Sequence, residues 1–173
     1  GDGSNDGKIS SPTQIPGAWA TASTKIMGAP RMSLALKKDG TLWSWGRIQE
    51  GGLGLNDRTE RSSPTQVGTD TTWDQISASG NTAVSIKTDG TLWVWGQNGN
   101  YGPFGNNNRD QVFSSPVQIP GTTWSTIDHS DNPWGIKTDG TLWGWGTNYF
   151  GRLAQNGDHD NNTHSYSSPV QVP

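Results

Sequence analysis

The chain has 173 residues, a net charge of −3 and an apolar fraction of 29%. This is room for one ordinary domain. It has no basic stripe for nucleic acid, no apolar run near the ~18–20 residues of a membrane-spanning helix, and no cysteine for disulfides or thiolate metal sites. So few apolar residues lean toward disorder, but ten tryptophans can each bury a large area and stand in for many aliphatic side chains.

Residues 1–16 open on GDGSNDGK, with no initiating Met, and close on Ser-Ser-Pro (10–12) and TQIP. They read as the tail strand of a preceding unit, so the chain is expected to be an excerpt from a longer array. From there three markers recur in fixed order. A lone Trp precedes a short apolar stretch at Trp19, Trp73 and Trp124. DGTLW follows at 39–43, 89–93 and 139–143, and Ser-Ser-Pro returns at 62–64, 114–116 and 167–169. A period near fifty residues points to an array or a propeller, with units at 17–68, 69–120 and 121–173. The middle unit reads as four short strands: Gln75–Ser79, Ala83–Lys87, Thr91–Trp95 and, after a long polar loop, Val117–Ile119. Asp89-Gly90 between two apolar runs is a hairpin signal and predicts a type I′ turn. No segment has helical periodicity.

In a strand, alternate side chains face opposite ways. Trp93 and Trp95 therefore share one face, and Leu92 and Val94 the other. A strand apolar on both faces is buried on both, as in sheets stacked face to face around a ring. The six paired indoles (Trp43, Trp45, Trp93, Trp95, Trp143, Trp145) are read as packing between sheets rather than as a sugar-stacking platform, and Trp134, in the place of Leu34 and Val84, as core. Ser44 and Gly144, in the place of Val94, are expected to leave room for a neighbour's indole.

The stretches ALKKDGTLWSWG (35–46), SIKTDGTLWVWG (85–96) and GIKTDGTLWGWG (135–146) resemble the regulator-of-chromosome-condensation (RCC1-like) repeat family. Their wording is most like that of bacterial and phage members. The resemblance covers essentially the whole chain and implies an all-β fold: a β-propeller of RCC1-like type, three four-stranded blades forming an open arc or part of a larger ring. The chain departs from the family's Gly-Gln-Leu-Gly after the Trp-Gly pair, reading GGLG (51–54), YGPFG (101–105) and GRLA (151–154). It also lacks the family's His before the turn, with Met32, Thr82 and Asn132 in its place. No loop matches a nucleotide-exchange element, so that activity is not carried over.

Few residues suggest chemistry. Asp2, Ser4 and Asp6, and again Asp158, Asp160 and Asn162, have the spacing of a calcium loop. Without a glutamate at the twelfth position they remain weak candidates beside a solvated turn. His129, His159 and His164 match no triad or zinc spacing, Asp39, Asp89 and Asp139 are turn residues, and Asn161-Asn162-Thr163 is a glycosylation triplet of low specificity. No catalytic residue, cofactor or metal is assigned. The segments after each Trp-Gly vary most, and loops on a shared scaffold carry function. Candidate contact residues there are Arg47, Glu50, Tyr101, Phe104, Arg109, Tyr149, Phe150 and Arg152, with edge capping as the plain alternative for the aromatic ones.

These readings converge on a non-enzymatic binding or scaffold module for a protein or glycan partner, with no nucleic acid and no membrane insertion. The alternatives are a lectin-like propeller and a structural component of a virion or cell-surface assembly. Missing repeats or other subunits are expected to close the ring, and an extracellular or surface location is favoured over the cytoplasm.

Overall fold

A computed structural model describes residues 11–47, 50–98, 104–106, 112–155 and 165–173. They form three antiparallel four-stranded sheets. Blade 1 is β1 (Ile26–Gly28), β2 (Met32–Leu36), β3 (Leu42–Gly46) and β4 (Arg61–Gln66). Blade 2 is β5 (Trp73–Ser79), β6 (Thr82–Lys87), β7 (Leu92–Gln97) and β8 (Val112–Ile119). Blade 3 is β9 (Trp124–His129), β10 (Pro133–Lys137), β11 (Leu142–Thr147) and β12 (Ser165–Gln171). Each sheet runs in sequence order, and the three are not closed into a ring. The fold is an all-β open arc of propeller blades. The fourth strand starts before Ser-Ser-Pro and is longer than the sequence suggests. Residues 11–16, read as a tail strand, join no sheet, because no third strand stands beside them among the described residues.

The hairpin turn differs from type I′. The Gly90 N–H donates to the Lys87 carbonyl (2.9 Å) and the Lys87 N–H to Thr91 (3.0 Å). Gly90 has φ +77° while Asp89 stays out of the left-handed region. This is a three-residue loop closed by a glycine bulge. The aspartate serves it through its side chain, with Asp89 Oδ1 accepting from the Thr91 N–H (3.0 Å) and hydroxyl (2.7 Å). Thr91 Oγ1 in turn accepts from the Trp93 indole (2.8 Å). The same chain of bonds recurs in blades 1 and 3.

The two faces of β7 divide between two cores. Trp95 and Trp93 pack with Leu34, Leu53, Val67, Trp73 and Ile76 toward blade 1. Leu92 and Val94 pack with Phe104, Ile119, Trp124 and Trp145 toward blade 3. The two indoles do different work. Trp95 is fully buried and donates to the Gly52 carbonyl of blade 1 at 2.9 Å. Trp93 is half-buried and sits under Lys87, whose Nζ lies 3.8 Å from its ring centre, a cation–π contact. Both meet the lone Trp73, at 6.0 and 6.2 Å. Trp124 repeats this with Trp143 and Trp145, and Trp19 with Trp43 and Trp45. In blades 2 and 3 only the second indole of the pair, Trp95 or Trp145, is fully buried between sheets. Polar bonds add to the inter-blade contact, from Gln75 Nε2 to the Ser125 carbonyl (2.6 Å) and from Lys25 Nζ to Asp74 Oδ1 (2.5 Å).

Candidate functional site

Register sets which loops share a face. Met32 pairs with Gly46 and Thr82 with Gly96, while the Asn132 side chain bonds Thr147. The β1–β2, β5–β6 and β9–β10 turns therefore lie beside the segments that leave each Trp-Gly pair. The described contact candidates all leave from this end of the blades, while the Asp-Gly turns occupy the other.

In blade 1 the Arg47 N–H donates to the Arg31 carbonyl (2.8 Å), and Arg47 Nε pairs with Glu60 at 2.8 Å. Arg31, Arg47 and Glu50 line an open cleft of ≈ 670 Å³. Arg31 was not among the sequence candidates. The signal for it lies in the register, which sets the turn before Met32 against the residue after Gly46.

Between blades 2 and 3 a second cleft of ≈ 250 Å³ is lined by Asn81, Gln97, His129 and Asp131 among others. Asn81 Nδ2 donates to Gln97 Oε1 (2.9 Å). The His129 N–H donates to Ser77 Oγ across the blades (2.9 Å), and neither ring nitrogen of His129 has a partner. Burial lowers its pKa to about 4, against the charge of Asp128, the nearby backbone of Asn132, which is too poorly aligned for a formed hydrogen bond, and the charge of Asp131. Arg152 Nη1 reaches Asp131 Oδ2 at 3.2 Å. Beside it Tyr149 and Phe150 lie with ring centres 4.0 Å apart, and Phe150 is 70% exposed. Phe150 has φ +58°, a conformation that is strained for a bulky residue and here holds an aromatic ring in water.

Phe104 corrects the sequence reading. It is fully buried against Phe113 (5.1 Å) and in the core shared with Trp124 and Trp145, so it packs between blades and offers no side-chain contact. Its N–H bonds Asn98 Oδ1 (3.1 Å) as the Leu153 N–H bonds Asn148 Oδ1 (2.9 Å), so the two share one structural place. Tyr101 and Arg109, the calcium candidates Asp158, Asp160 and Asn162, the similar Asp2, Ser4 and Asp6, and His159 and His164 lie outside the described residues. Among the described residues no group of three His, Asp or Glu could hold a metal.

The opposite end of the blades carries charge bound to structure. The hydrogen bonds from Thr91, chiefly its hydroxyl, lower the Asp89 pKa, and Asp39 and Asp139 behave alike. Burial works to raise the Asp70 pKa, but bonds from Lys87 and Thr72 outweigh it and hold the carboxyl at about 2. Its ion pair with Lys87 spans 2.6 Å. Among the described residues neither face brings together a nucleophile, a base and an orienting carboxylate.

Two models of the regulator of chromosome condensation (RCC1) repeat match the chain, over residues 39–86 and 73–102. Residues 39–102 thus match RCC1-type repeats. No curated protein sequence matches it. Among solved structures it resembles human WBSCR16, with TM-score 0.70 and 20% identity over 88% of this chain and 39% of that one. It also resembles Prp20p of Saccharomyces cerevisiae, a structure described with its binding properties to Gsp1p and histones (TM-score 0.69, 17% identity, 86% of this chain, 37% of that one). A third match is yeast RCC1 (Prp20) in complex with Kap60, at TM-score 0.69 and 18% identity over 86% of this chain and 36% of that one. The chain spans under two-fifths of the length of each of these structures. Identities this low establish a shared propeller fold.

Proposed function

We propose that the chain is a non-enzymatic binding module that presents the loops beyond its Trp-Gly pairs to a macromolecular partner, a protein in the first place. The observation that carries this reading is the exposed Tyr149–Phe150 pair, with Phe150 on left-handed backbone and the Arg152–Asp131 ion pair in the same turn region. Large aromatics and arginine on rigid turns are what interface anchors are made of. The Arg31–Arg47–Glu50 cleft on the same end of the blades extends the surface. That structural neighbours are described bound to proteins (Kap60) or with binding properties toward them (Gsp1p, histones) supports the class of activity and names no partner for this chain, because a fold alone does not fix function.

Capture from a pool of candidate host and surface proteins tests this, comparing the wild type with Phe150→Ala and Arg152→Ala. The reading predicts a protein that binds the wild type and is lost, tenfold or more, with either variant. A partner that binds both variants as well as wild type overturns it. A glycan array is the second arm. Sugar binding through the repeated tryptophans is disfavoured by their packing, since Trp95 and Trp145 are fully buried.

The bacterial or phage type, and a location outside the cell or on a surface, belong to the same proposal and rest on the wording of the repeats. Labelling of intact cells or particles with an antibody to the chain tests the location.

A further inference from the structure

The three blades make one contact twice and break it once. Leu53-Gly54 of blade 1 and Phe104-Gly105 of blade 2 receive the second indole of the next blade. A Cβ on Gly54 would stand 2.9 Å from Trp95 Nε1, and one on Gly105 2.8 Å from Trp145 Nε1, closer than side-chain carbons approach. Both glycines are left-handed, at φ +72° and +67°. Blade 3 builds the same turn: the Ala154 N–H donates to Gly151 (2.8 Å) as the Gly54 N–H does to Gly51 (3.0 Å). Ala154 has φ +54°, and Leu153 is buried like Leu53 and Phe104. The difference is the side chain. Alanine supplies the Cβ that the other two places cannot hold, in a conformation that disfavours it.

The outward face of blade 3 differs in a second way. Gly144 does not receive a neighbour's indole, as the sequence suggested. Its own blade's Trp134 fills that space, 2.9 Å from where a Cβ would be, with Leu153 at 3.0 Å. Ile136 and Leu142 are 41% and 39% exposed, where Ile86 and Leu92 are buried. At the other end of the arc Trp45 is half-buried, where its counterparts Trp95 and Trp145 are fully buried. The chain thus carries both halves of a head-to-tail contact between copies, which closes into a ring or extends open according to the rotation between them.

We infer that Ala154 closes the outward face of blade 3 to the second indole of a like blade, a second copy of this chain included. Its methyl group occupies the approach that glycine leaves open in blades 1 and 2, so Trp45 of another copy cannot seat there in the register used twice within the chain. Sequences manage exposed sheet surfaces with such obstacles.

Sedimentation equilibrium of the full chain over a wide concentration range tests this, with near-UV circular dichroism confirming the fold of each variant. Ala154→Gly is expected to tighten self-association at least tenfold over the wild type, and adding Trp45→Ala removes the gain. Ala154→Ser keeps an atom at the same point and behaves as wild type. The inference fails if Ala154→Gly associates no more tightly than wild type, or if Ala154→Ser gains as much. It also fails if wild-type copies already join in a way that Trp45→Ala abolishes, an arm that needs no change at 154.

Discussion

Lowering the pH from 7.5 to 4.5 should destabilise this protein through one residue, His129. His129 is 5% exposed, and neither ring nitrogen meets a partner in hydrogen-bond geometry. Burial lowers its pKa from 6.5 to about 4. The unfolded chain then binds a proton below 6.5 that the folded one refuses until about 4. Unfolding takes up that proton, so stability falls as pH drops through this window. Integrating the two titrations between pH 7.5 and 4.5 gives a loss of roughly 2–3 kcal/mol. Carboxylates contribute little to it, because their ordinary pKa lies below the window. The assay is urea unfolding followed by tryptophan fluorescence at several pH values, on the wild type and on His129→Ala. Ala78 holds the equivalent place in blade 2 and is buried, so alanine fits this position in the repeat. The variant should lose most of the slope between pH 7.5 and 4.5, whatever its absolute stability. A slope equal to that of the wild type would refute the argument.

Trp95→Ala should cost about 3–5 kcal/mol, read as a lower urea midpoint, since it empties the interface of blades 1 and 2 and orphans the Gly52 carbonyl; an effect below about 1 kcal/mol would deny the wedge. Gly105→Ala should destabilise by about 1–3 kcal/mol, because φ +67° and Trp145 leave no room for the methyl, and thermal unfolding would show it. Phe150→Ala should change stability by no more than about 0.5 kcal/mol, since the ring is 70% exposed, so any loss of partner capture belongs to the contact itself. Asp70, lowered from 3.8 to about 2, contributes stability that is present above pH 3.8 and lost as pH falls through about 2. Asp70→Asn should therefore flatten acid unfolding in that range, measured by circular dichroism.

The sequence by itself determined the blades. Period-two alternation and the Asp-Gly turns are local signals, and a fifty-residue repeat multiplies each of them by three. That was enough to place Trp95 on the opposite face from Val94 and to assign Asp89 to turn chemistry. What it could not supply was anything that depends on two distant segments meeting. Whether Phe104 reaches water or packs against Trp145 depends on the fold of its loop and on blade 3, and local polarity there suggested the wrong answer for its side chain. Arg31 joined the loop face only through the register of β2 with β3. His129 is one polar residue in a short strand until β5 covers it and leaves its nitrogens without partners. Ala154 is a one-residue departure from a motif in the sequence. It became an obstacle only once Trp95 and Trp145, seated against Gly54 and Gly105, showed what that position has to admit, because steric exclusion acts between surfaces that adjacency in the chain does not bring together.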